Sequence, residues 1–277
     1  MVVPFFGWIS VVIVCLVALR KGVQESAWVL GCVLITALLE NMLFTSFPFA
    51  LAGVILVYVL PWGLALLLRV SAKWQYVLEM QGGIAFLLIA IAHLLVPDLQ
   101  KNYADHMAAL YHALPLSAGS GAPEQHMISL YMLTLAKYLS GIQAIFYMIG
   151  ASGSLLFARW LQSILYHPQG LSKELHPIHL SYWFSGLTLA CVVGVILGLS
   201  TALDSLPVFI LLYTLVGISL VHHFSKEKKH GRAYLIAFYV FFFVFLPFSI
   251  IPLIGISVID LCASLRQNIQ KSVLKKR

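Results

Sequence analysis

An all-α bundle of transmembrane helices, with about eight spans, is the fold class this sequence predicts. Three observations predict it. Hydrophobic residues make up 61% of the chain and charged residues only 10%, with a mean hydropathy of +0.95. Apolar runs of spanning length recur along the whole chain, and a soluble domain could not cover them with so few charges. The cations fall at alternate connections between the runs, as the positive-inside rule requires. Lipid offers no partner to open backbone groups, so the spans are helices. The alternating runs of about ten residues that a membrane β-barrel needs are missing from the sequence. A single helical domain over 1–265 and a basic cytoplasmic tail over 266–277 account for the chain.

The apolar segments fall at 2–19, 27–44, 49–68, 77–96, 128–157, 181–203, 206–222 and 233–260. The first ends on Arg20 and Lys21; its start, MVVPFFGW, lacks a positive leader and a small-residue cleavage site, so no removed signal is expected. The second reaches spanning length only with Glu40 and Asn41 at the interface. The third closes on Arg69 and Lys73, and the fourth leads into the longest external connection, 97–127. There Leu99, Tyr103, Met107, Leu110 and Leu114 repeat at helical spacing before the flexible SAGSGAPEQ. That pattern is an amphipathic helix on the outer face, either sealing the bundle or closing a pocket as a lid.

The fifth segment carries Lys137, Tyr138 and Gln143 well inside an apolar run. A lysine there either snorkels to the outer surface or meets a carboxylate or an anionic ligand, because an unpaired ammonium in hydrocarbon is costly. With Glu40 and Asn41, these three are the candidate solute-binding residues. The cytoplasmic elbow, 158–180, follows. Arg159, Trp160 and Gln162 sit at a membrane interface, Tyr166, Pro168 and Gly170 mark a helix stop, and Pro177 turns the chain into the next span. Read simply it is a corner, with docking of a partner as the functional alternative. His167, His176 and His179 with Glu174 form a conceivable ligand set, but Pro177 interrupts them and the spacing matches no zinc pattern, so no metal is assigned.

In the sixth segment Gly186, Ala190, Gly194, Gly198 and Ala202 recur every four residues. Such a ridge lets a second helix approach closely, from this bundle or from a partner subunit. The seventh ends in the basic run Lys226, Lys228, Lys229 and Arg232. The stretch 233–265, roughly 50 Å as a single helix, is well beyond the hydrocarbon core, and a single span would leave the tail outside. It is interrupted by LPFSIIP, and a tight hairpin or re-entrant pair would return Arg266, Lys271, Lys275, Lys276 and Arg277 to the cytoplasm. The net charge of +7 is then a topology signal and an attraction to anionic lipid, not a nucleic-acid footprint. Four cysteines without a C-x-x-C pair read as small buried hydrophobes. No nucleophile with its base, phosphate-cradling glycine loop or paired acids occur, so neither an enzyme nor a cofactor is expected.

LVALRKGVQESAWVL (16–30), ARWLQSILYHPQG with KEL (158–175) and AFYVFFFVFLPFSIIPLIGISVIDL (237–261) together resemble the YybS-like bacterial membrane proteins, a family without an assigned activity. Arg159, Trp160, Gln162, Tyr166, Pro168 and Gly170 carry most of that resemblance. It implies a bacterial inner-membrane protein. It also implies fold-level similarity to the substrate-binding subunits of energy-coupling-factor transporters, which take a small molecule beneath outer loops and meet a transmembrane partner through small-residue helix faces. Fold does not fix function. The expected function is therefore capture of a small solute near Lys137, Tyr138 and Gln143. The alternative is a membrane scaffold that docks a partner through the elbow and the 222–232 loop.

Overall fold

The computed structural model describes residues 3–44, 49–112, 122–166, 178–226 and 231–263. Among them the chain is helical, with short turns and no strand: α1 (Val3–Lys21), α2 (Val23–Phe44), α3 (Phe49–Ser71), α4 (Trp74–Leu95), α5 (Leu99–His112), α6 (Ala122–Ala136), α7 (Leu139–Tyr166), α8 (Tyr182–Ile196), α9 (Ser200–Lys226), α10 (Gly231–Val244) and α11 (Leu246–Ala263). Windows in α2, α3, α4, α7 and α9 are long and apolar enough to cross a bilayer. Five such helices are the pattern of a multi-pass membrane protein. α8, α10 and most of α11 are apolar but shorter. The rest of the elbow, 167–177, and the tail, 264–277, lie outside the described residues.

The structure divides three of the apolar segments differently from the expectation. The segment 128–157 is not one helix. α6 stops at Ala136 and α7 starts at Leu139, with a tight turn closed by the Tyr138 N–H on the Leu135 carbonyl (3.0 Å). Lys137 therefore lies in a helix break rather than partway along a span.

The segment 181–203 also breaks, and with it the five-residue ridge. Gly198 adopts φ +78°. The Leu199 N–H bonds the Gly194 carbonyl (2.9 Å) and the Gly198 N–H bonds the Val195 carbonyl (3.0 Å). Those two bonds are the paired closure that ends a helix at a left-handed residue, where glycine escapes the Cβ penalty. Gly186, Ala190 and Gly194 belong to α8, Gly198 to the turn, and Ala202 to α9. A Cβ at Gly194 would lie 2.9 Å from that of Ala202, so these two pack on each other across the corner. A Cβ at Gly186 would meet open space.

The third correction concerns 233–265. Only Phe245 separates α10 from α11. Its N–H still bonds the Phe241 carbonyl (3.0 Å), and its carbonyl accepts from Phe248 (2.9 Å) and Ser249 (2.8 Å). A helical hairpin has a connection of about two to five residues; here a single residue, bonded on both sides, joins the two helices. Pro247 has no N–H to continue the ladder. The Ser249 hydroxyl donates to the carbonyls of Leu246 (3.0 Å) and, across the break, Phe242 (3.2 Å).

The chain forms two compact units, divided within α4, α7 and α9. The first comprises Met1–Gln81, Phe146–Leu180 and Tyr213–Arg277. In it α1, α2 and α3 pack together around Val14, Cys15, Ala18, Leu64 and Ala65, all buried. The α1–α2 turn is at Gly22, φ +94°, against which the Arg69 guanidinium lies. Arg69 donates to the Ala18 carbonyl (3.3 Å), and Trp62 Nε1 donates to the Ser26 hydroxyl (2.9 Å). α9 meets α11 at Gly217, where a Cβ would lie 2.7 Å from the Leu253 carbonyl. The Ser257 hydroxyl there donates to the Tyr213 carbonyl (2.7 Å).

The second unit comprises Gly82–Ile145 and Ser181–Leu212. Gly82 of α4 admits Leu212 and Phe184 against its backbone. Phe209 has its ring centroid 6.0 Å from that of Phe86 and 5.7 Å from that of Phe184. The amphipathic α5 appears at the predicted place and packs on α6. Leu99 is buried, Tyr103 and Met107 are half-buried, Leu110 is exposed and Leu114 lies outside the described residues.

Candidate functional site

The second unit contains a buried ionisable couple. His93 stands in the last turn of α4, and its Nε2 lies 3.1 Å from Asp204 Oδ2 on α9. Asp204 is fully buried and His93 is 11% exposed. The other carboxylate oxygen, Oδ1, accepts the N–H of Gly141 (3.0 Å), in the first turn of α7. First-turn amides have no acceptor within their own helix. At α7 the preceding residues supply no short capping side chain, because Lys137 and Tyr138 occupy the turn. Asp204 provides the cap from another helix.

The local sequence explains the close approach. A Cβ at Gly141 would collide with the backbone carbonyl of Asp204 and meet the Pro207 ring at about 3.0 Å. Only glycine leaves the room that brings the amide to the carboxylate. The break before α7 also frees the Lys137 carbonyl, which accepts from Gln100 Nε2 of α5 (3.4 Å). Ser140, beside Gly141, is buried, and its hydroxyl has no partner among the described residues.

A helix presents partial positive charge at its N-terminus and partial negative charge at its C-terminus. His93 sits at the C-terminal turn of α4 and Asp204 faces the N-terminal turn of α7. The arrangement can hold a proton between two groups, and it can offer a carboxylate to a cation.

Of the residues singled out from sequence, Lys137, Tyr138 and Gln143 lie in this unit: Lys137 and Gln143 are exposed, and Tyr138 is half-buried. Glu40, exposed at the end of α2, and Asn41 belong to the first unit. Sequence reading singled out neither His93 nor Asp204. The available signal was an ionisable residue close to an apolar segment end, His93 within 77–96 and Asp204 between 181–203 and 206–222, which is a candidate by default in a membrane protein. In the elbow, Arg159 donates to Gln162 Oε1 (2.6 Å), and Trp160, 44% exposed, stacks on Phe157 at 5.4 Å. Tyr166 ends α7, while Pro168, Gly170, His167 and His176 lie outside the described residues. Among the described residues no three His, Cys, Asp or Glu side chains gather as a metal site.

A second buried polar contact belongs to the first unit. Gln81, 1% exposed on α4, accepts the Ser152 hydroxyl of α7 at 2.8 Å, and its amide nitrogen has no partner among the described residues. No protein-family model, no curated protein and no solved structure matches this chain.

Proposed function

We propose that this multi-pass protein is a non-enzymatic solute-binding subunit of the bacterial cytoplasmic membrane, and that its second unit captures a small molecule for a transport partner. The observation that carries the reading is Asp204: a carboxylate with no exposure, paired to His93 in an apolar bundle. Ionisable groups in membrane helices are costly and are retained chiefly where a substrate or ion is handled. Lys137 and Tyr138, expected at the binding site from sequence, lie in the break just before the helix start that Asp204 caps. Gln100 fastens the amphipathic α5 to the same turn, which suits a segment that covers the site. The resemblance to YybS-like proteins and transporter substrate-binding subunits is compatible with this reading.

The test is to purify the protein in mild detergent, extract its bound small molecules and identify them by mass spectrometry, beside an Asp204→Asn variant. A polar solute present with the parent protein and lost from the variant supports the reading. Identical extracts from both sink it. The scaffold reading draws on one feature, the exposed Trp160 beside the held Arg159, and predicts instead a protein partner that is lost in Trp160→Ala.

A further inference from the structure

We propose that the His93–Asp204 couple holds one exchangeable positive charge. A proton occupies it in the resting protein, and a small monovalent cation, either a metal ion or the ammonium group of a solute, displaces that proton. The inference rests on the reading of the second unit as a capture site, and it names the charge of what is captured.

The parts of α4, α7 and α9 that build the couple contain no other titratable side chain: over 82–95, 139–145 and 200–212 there are only His93 and Asp204. The unit's other described titratable groups are Asp98, Lys101, Tyr103, Asp105, His106 and Tyr111 in and before α5, and Tyr131 on α6. Lys137 and Tyr138 in the turn and Tyr182 and Cys191 on α8 complete them. His93 and Asp204 make no hydrogen bond or ion pair with any of these. Among the described residues, therefore, the couple balances its own charge.

With one proton the couple is neutral, as imidazolium and carboxylate. Without it, one buried negative charge is left in an apolar bundle, which is strongly unfavourable. When the N–H bond at His93 Nε2 breaks and the proton leaves to water, one incoming cation restores the balance. A divalent ion would leave an excess positive charge in the apolar bundle. The C-terminal turn of α4 favours a cation at this point. Ser140 adds the independent observation: one residue from the Asp204 contact, it keeps a buried hydroxyl with no partner among the described residues, and in the proposed site it serves as an oxygen ligand.

The experiment adds salt to the full-length purified protein in weakly buffered detergent containing a pH indicator. Sodium chloride, methylammonium chloride and N-methylglucamine chloride are compared at equal ionic strength. The expected result is release of about one proton per protein with sodium or with methylammonium, and none with the bulky glucamine. The cation midpoint should fall about tenfold for each pH unit raised while the couple still holds its proton, because the two compete for one site. Sodium as the active salt identifies a metal-ion site and methylammonium an ammonium site. Asp204→Asn, which retains an oxygen for the Gly141 amide, should abolish the release. Ser140→Ala should raise the midpoint severalfold and leave the protein folded. Absence of release with both small cations overturns the proposal, as does undiminished release from folded Asp204→Asn. If that variant does not fold, an unchanged midpoint in Ser140→Ala overturns it. Loss of a co-purified solute in Asp204→Asn without any proton release would sink the cation inference and leave the capture reading standing.

Discussion

Asp204 and Gly141 meet twice. The carboxylate of Asp204 accepts the Gly141 amide at 3.0 Å, and the backbone carbonyl of Asp204 fills the space a Gly141 side chain would need. A charge, a helix start and a helix crossing therefore depend on one missing methyl group.

Gly141→Ala is expected to push α7 off α9 and open the cap. Overpacking of this kind costs about 1–3 kcal/mol, and a lost cap adds about 1 kcal/mol. Unfolding titrations with sodium dodecyl sulfate in mixed micelles would measure it. Gly186→Ala is the control: its Cβ would meet open space on α8, so stability should hold or rise by up to about 1 kcal/mol from helix propensity.

Asp204→Ala strands His93 and the Gly141 amide together, and removing one member of a buried pair costs about 3–5 kcal/mol. Asp204→Asn keeps an acceptor for Gly141 and should lose clearly less in the same titration. Equal losses would mean that the charge, not the cap, governs stability.

Gly194→Leu tests what remains of the small-residue ridge. Because Gly194 packs on Ala202 within the α8–α9 corner, the substitution should abolish folding of the lone protomer, seen as loss of the monodisperse peak in size-exclusion chromatography. A folded protomer that fails only to join a partner would restore the docking role. Gly198→Ala should cost about 1–2 kcal/mol through its left-handed backbone alone.

Gly22→Ala carries two penalties, a left-handed φ of +94° and the Arg69 guanidinium resting on the glycine. In an Arg69→Ala background the steric part disappears and about 1–2 kcal/mol should remain. A double-mutant cycle read by thermal inactivation in detergent separates the two.

Ser257→Ala removes the hydroxyl that bonds the Tyr213 carbonyl between α9 and α11. Interhelical bonds of this type are worth about 0.6 kcal/mol on average in membrane proteins. Gly217→Ala, which would crowd the Leu253 carbonyl, should cost more than Ser257→Ala; the reverse order would place the strength of that crossing in the hydrogen bond.

Much of the architecture could be read before any coordinates. Apolar run length is a local property, so the helical class, the membrane character and the amphipathic α5 all followed from it. The helix breaks were harder. Gly198 stood in a regular four-residue series, and nothing local distinguished a glycine that packs from one that ends a helix in the left-handed region. Phe245 was equally opaque: two prolines signalled an interruption in 233–265, but a kink and a reversal share that signal until the backbone bonds on either side are known.

Composition and charge order by themselves determined that this chain threads lipid with helices, because the cost of exposing apolar surface and open backbone groups does not depend on partners. Only the tertiary structure decided that His93 and Asp204, which lie on α4 and α9, meet one another, and that the Gly141 amide bonds the second carboxylate oxygen. The reason is physical. A buried charge is tolerable only through what it touches, and which helix backbone comes close enough to touch it is set by packing between distant segments.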